Sequence, residues 1–107
     1  MESELHGRWY AVRCVLRVPK GSDTYEERIT LWQAETIDHA IELADREAGE
    51  YAAGVDADHL GLMQAFQLFD EICSGAEVFS LMRESDLDPE SYIARYFASG
   101  TELQREA

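Results

Sequence analysis

Residues 8–18 read RWYAVRCVLRV, and this alternation constrains the fold more than any other feature of the chain. Successive side chains of a strand point to opposite faces, so Tyr10, Val12, Cys14, Leu16 and Val18 share one side, with Trp9, Ala11, Arg13, Val15 and Arg17 on the other. The stretch PKGSDT supplies turn chemistry, and a second alternating run begins at Tyr25 and reaches Ala34. A β-hairpin is predicted. Facing Val18 with Tyr25 sets Cys14 against Ile29 and Val12 against Leu31 on the core side, and Arg17 against Glu26 and Ala11 against Trp32 on the other.

At Thr36 the period changes from two to 3.6. Thr36 is a helix N-cap with Asp38 in the first turn, and Ile37, Ala40, Ile41, Ala44, Ala48, Tyr51 and Ala52 form one apolar stripe ending at Gly54. The opposite face carries Asp38, Glu42, Asp45, Arg46 and Glu50.

A second unit repeats the plan. Residues 60–71, LGLMQAFQLFDE, are read as a strand, with a buried helix as the alternative that periodicity alone leaves open. After the turn-like ICSGA, residues 77–83 are read as a further strand. Asp88 followed by Pro89 is an N-cap with proline at the first helical position, Tyr92, Ile93, Tyr96 and Phe97 make a buried stripe, and Gly100 ends the helix. The expectation is an α+β fold, β-β-α-β-β-α, with one four-stranded antiparallel sheet and both helices on one face. Its 107 residues suit a single domain, ordered over about residues 8–99 with 101–107 frayed.

Two helices on one face leave the other open. That face is expected to hold Trp9, Val15 and Trp32, with Val78 and Met82 from the second hairpin, beside Arg13 and Arg28. Two indoles among aliphatic groups exceed what an isolated domain leaves exposed, and a second copy of the chain is the simplest cover.

Composition narrows the classes of function. No apolar run approaches the ~20 residues that span a bilayer. The opening residues carry acids where a signal peptide carries bases, which predicts a cytoplasmic protein and no membrane partner. Residues 1–33 balance five acids with five bases, whereas residues 34–107 hold 17 acids and four bases, so the net charge of −13 belongs to the later part. Such a field repels phosphate backbones, which argues against nucleic acid and permits a basic protein partner, although solubility is the simpler explanation of acidic helix faces. Cys14 and Cys73 match neither a metal pair nor a disulfide framework and are read as reduced thiols. Eight arginines against one lysine, and no asparagine, read as the coding bias of a GC-rich bacterium.

The stretches Trp9-Tyr10-Ala11-Val12, Tyr25-Glu26-Glu27-Arg28-Ile29-Thr30, Ala40-Ile41, Gly75-Ala76-Glu77-Val78-Phe79-Ser80 and the segment at Tyr92 resemble the bacterial family catalogued as domain of unknown function 4288. The resemblance spans nearly the whole chain and implies a small bacterial protein. It carries no catalytic signature and transfers no active site.

Candidate chemistry is sparse. Glu27 as a base with Arg28 as an anion clamp competes with a plain reading, in which Glu26 pairs with Arg17 and Glu27 meets solvent. Trp9, Arg13, Arg28 and Trp32 suit a protein interface or a planar anion, and a flat sheet favours the interface because ligand sites are concave. His39 with Glu42, and Asp56, Asp58 and His59, match no metal-site spacing, so no metal or cofactor is assigned. Cys14 has no nearby histidine in sequence, Ser80 lacks an elbow motif, and no phosphate-cradling loop occurs, so no catalytic residue is assigned. The leading expectation is a non-enzymatic binding or regulatory module that dimerises through Trp9, Arg13, Val15, Arg28, Trp32, Val78 and Met82. The alternatives are a small-anion binder or modest enzyme using Arg13, Arg28, Trp9 and Trp32, and an acidic inhibitor of a basic protein.

Overall fold

The computed structural model describes residues 7–100. β1 (Arg8–Arg17) and β2 (Tyr25–Ala34) form the expected hairpin, α1 (Ile37–Gly54) follows, and β3 (Asp58–Gln67) returns to pair with β1. α2 (Pro89–Tyr96) comes after a long segment without regular structure. The fold is α+β, with an antiparallel three-stranded sheet in the order β2-β1-β3.

α1 begins where the sequence says it should. Thr36 is extended, and its side chain accepts a hydrogen bond from the His39 backbone N–H. Four residues one turn apart, Ala40, Ala44, Ala48 and Ala52, are its buried contacts. Methyl-sized side chains let the helix lie close to the sheet, where Tyr10, Val12, Cys14 and Leu16 of β1 meet it in two adjoining clusters. α1 packs most extensively on β3 and also meets β2 and β1. Leu16 and Val12 are the largest fully buried side chains.

The hairpin register differs from expectation by one residue. Val18 N–H donates to Thr24 O at 2.9 Å, so the loop closes over residues 19–23 and Arg17 faces Tyr25, Cys14 faces Arg28 and Tyr10 faces Trp32. The pleat then turns every side chain of β2 the other way. Glu26, Arg28, Thr30, Trp32 and Ala34 lie on the helix side, while Tyr25, Glu27, Ile29 and Leu31 lie on the open side and are exposed. Trp32 packs against the core cluster beneath α1, and Arg28 lies on the same side. The expected pairing of both indoles and both arginines on the open face is therefore corrected. The physical reason is that α1 itself supplies polar partners, Glu47 for Arg28 and Tyr51 for Glu26, so this face of β2 need not be apolar.

The second half departs further. The third strand covers Asp58–Gln67 instead of residues 60–71, with a bulge opposite Val15 where Gly61 takes φ 89°. Residues 77–83 join no ladder, so the described sheet has three strands where four were expected, and Val78 and Met82 lie on no hairpin. Asp88 and Pro89 do cap and start α2, with Ser91 N–H donating to the Asp88 carboxylate at 2.9 Å. Yet α2 packs against neither a strand nor α1, and no residue after Leu68 is buried among those described, so the two helices do not share a face of the sheet. The expected fraying of residues 101–107 lies outside the described residues.

Candidate functional site

The register places two different surfaces on the two sides of the sheet. On the helix side, near the hairpin loop, a polar network fills the gap between β2 and α1. Arg28 makes two hydrogen bonds to Glu47, at 3.1 and 3.0 Å, and its guanidinium lies 3.7 Å from the centre of the Tyr51 ring. The Tyr51 hydroxyl sits 2.8 and 3.0 Å from the two Glu26 carboxylate oxygens. Glu47 holds the Arg28 guanidinium more firmly protonated than usual, with burial opposing. Hydrogen bonding to Glu26, then burial, pushes the Tyr51 hydroxyl above its ordinary value. Cys14 lies beneath, buried; burial pushes its thiol up, although Arg28 pulls the other way. A thiol kept protonated and covered is a poor nucleophile, and an arginine already matched by a carboxylate is a poor anion clamp. The network holds the helix to the strand.

The expected ion pair of Glu26 with Arg17 is not formed. Glu26 turns to Tyr51, and the Arg17 Nε donates to the Ser22 carbonyl at 3.0 Å. Sequence reading missed Glu47 and Tyr51 as partners of β2. Their i, i+4 spacing on α1, against the i, i+2 spacing of Glu26 and Arg28 on β2, was the available signal.

The open side reads as rows across the three strands. Leu31, Ala11 and Phe66 form one row, and Ile29, Arg13 and Gln64 the next. Trp9 lies beyond the first row, and Val15 lies opposite the bulge flanked by Leu60 and Leu62. Trp9, Ile29 and Leu31 are 37%, 44% and 37% exposed, and Leu60 and Leu62 close to half exposed. Arg13 sits in the middle. Its guanidinium bonds Glu27 at 2.7 Å, reaches Gln64 at 3.4 Å and lies 5.6 Å from the centre of the Phe79 ring. Phe79 in turn meets Phe66 edge-on at 4.7 Å. Of the residues expected on this face, Trp9, Arg13 and Val15 are there; Arg28 and Trp32 are on the reverse, and Met82 is almost fully exposed away from the sheet.

Trp9 and Arg13 are separated from Trp32 and Arg28 by the sheet itself, so the four do not converge on one anion. Two clefts of about 440 Å³ each flank the sheet, one between the end of β3 and residues 77–80, the other at the hairpin beside Glu26, Glu27 and Tyr51. None of the four lines either cleft. Val78 lines the first.

His59 forms a close pair with Asp45, 2.8 Å from Nε2, but its Nδ1 accepts the Gly61 N–H at 3.3 Å, so no hydroxyl or thiol occupies the position a catalytic relay would need. Asp58 accepts the Gly21 N–H. Among the described residues no three His, Cys, Asp or Glu side chains gather as metal ligands, and no helix is long and apolar enough to cross a membrane. No family model, curated protein or solved structure matches the chain.

Proposed function

We propose that this protein is a non-enzymatic protein-binding module that associates with a second copy of itself through the open face of its sheet. The observation that carries the reading is the row structure of that face, where Trp9, Ile29, Leu31, Leu60 and Leu62 stand exposed around Arg13, which is already matched by Glu27. An apolar core with a fixed central charge pair is how protein interfaces are built, and a flat sheet suits a protein better than a small ligand. The resemblance to domain of unknown function 4288 fits a small bacterial module of this kind and adds no chemistry. The paired state of Arg28 and the covered thiol of Cys14 weigh against the anion-binding and enzymatic alternatives.

Sedimentation of the full chain over a concentration series tests this. The expected result is a monomer–dimer equilibrium that Leu31→Glu weakens by at least about tenfold in Kd, the effect of one poorly placed charge at an interface centre. A chain that stays monomeric throughout the series overturns the reading.

A further inference from the structure

β3 is an edge strand, and its outer side has no partner in the sheet. Leu68 N–H donates to Trp9 O at 2.8 Å, so the alternation of an antiparallel ladder turns the backbone of Phe66 toward β1 and that of Ala65 and Gln67 off the outer edge. The first cleft, of about 440 Å³, opens there, with Ala65 and Gln67 on one wall and Glu77, Val78 and Ser80 on the other. The second wall is unsatisfied as well: among the described residues, no backbone N–H or C=O of residues 78–80 takes part in a hydrogen bond. That wall is nevertheless held in place, by Phe79 edge-on to Phe66 and by the Glu77 N–H, which donates to the Asp70 carboxylate at 3.3 Å.

Two features define what fits this cleft. The first is the unpaired main chain. An extended peptide presents a donor and an acceptor at every second residue along one edge, which is the spacing that Ala65 and Gln67 offer, and a small ligand does not. The second is charge. Asp70 and Glu77 line the cleft and no basic side chain does, since residues 60–82 carry three acids and neither lysine, arginine nor histidine. Arg8 and Arg13 are the bases that β1 brings toward this end of the sheet; neither lines the cleft, and Arg13 is matched by Glu27. Phe69, 88% exposed, adds an uncovered apolar lip.

We infer that this cleft binds an extended, basic peptide segment of a partner protein, its main chain added to the outer edge of β3 and a lysine or arginine set against Asp70 and Glu77. The partner is a different protein, because the arginine-rich extended stretch of this chain, β1, is the central strand of its own sheet. The site lies across the sheet from Ile29 and Leu31, so the inference goes beyond self-association and does not depend on it.

Fluorescence anisotropy with the full-length chain is the test. The probes are labelled hexapeptides of alternating valine and threonine that carry one lysine or arginine at each position in turn, and the same set with glutamate. Basic members are expected to bind, and the glutamate set at least about tenfold more weakly. Methylating the backbone nitrogens of a basic member abolishes its binding. Gln67→Pro removes an N–H that the ladder with β1 does not use, which an edge strand tolerates, and weakens binding at least about tenfold. Asp70→Asn with Glu77→Gln keeps the shapes and removes the preference for the basic set. Thermal melts establish that each variant is folded; if Gln67→Pro is not, slowed hydrogen exchange of the Ala65 and Gln67 amides on peptide addition takes its place. Leu31→Glu leaves peptide binding unchanged, so failure of self-association and failure of this site are read separately. No binding by any basic member up to about 1 mM overturns the inference, as does equal binding of the methylated peptide. Protection of the Ala65 and Gln67 amides in the free chain also overturns it, because the edge would then belong to the chain's own residues 77–83.

Discussion

Tyr51 shows how a single side chain is bound to the state of its neighbours. Its hydroxyl donates to Glu26, and that bond, followed by burial and the negative charge of the carboxylate, raises its proton affinity above the ordinary tyrosine value of 10.0. The unfolded chain therefore releases this proton at lower pH than the folded one. The contribution to stability is complete below about pH 10 and is lost as the pH climbs through the raised value. Urea unfolding at pH 8 and at pH 11 should show a larger loss of stability in the wild type than in Tyr51→Phe. The variant should start up to about 1 kcal/mol less stable, the net worth of one hydrogen bond. Equal losses in the two proteins would show that Tyr51 carries no such linkage.

At the scale of elements, the alanine stripe of α1 sets the spacing between helix and sheet. Ala44 is 2% exposed and packs with Tyr10 and Val12. Ala44→Leu forces three further carbons into that contact and should cost about 1–3 kcal/mol, read as a lowered denaturation midpoint with an unchanged slope. A neutral result would mean that the helix can shift away from the sheet freely. Hairpin, caps and helix were legible in the chain because their signals are local: the alternation of residues 8–18, Thr36 before the change of period, and Asp88 before Pro89. The register was not, because Ile29 and Leu31 are as apolar as core residues, and only the Val18 to Thr24 bond and the partners that Glu47 and Tyr51 offer to Arg28 and Glu26 decide which way they point. Likewise, Tyr92, Ile93, Tyr96 and Phe97 do mark a helix, but a stripe records only that a surface is apolar and not what it packs on. Of the expected site, Trp9, Arg13 and Val15 were legible and Trp32 and Arg28 were misplaced by that one-residue slip.

At the scale of the whole molecule the chain divides unevenly. All described buried residues lie between Tyr10 and Leu68, in the hairpin, α1, β3 and their connections. Residues 69–100 add apolar area without a buried side chain, tied to the sheet side through Phe79. Local stability follows buried contact, so the two parts should differ in backbone protection. Hydrogen exchange of the wild type at high dilution is expected to leave amides of β1 and α1 protected, while those of α2 exchange at close to the rate of an open chain. Raising the concentration through the dimer range should then slow exchange at exposed residues of β2, and leave the centre of β1 nearly unchanged. The midpoint is the telling part: if the open face meets a second copy, β2 gains protection at the same concentration at which sedimentation shows dimers. Exchange at the exposed residues of β2 that does not change with concentration would instead show that the open face meets no second copy, and the apolar row of Trp9, Ile29 and Leu31 would need another cover.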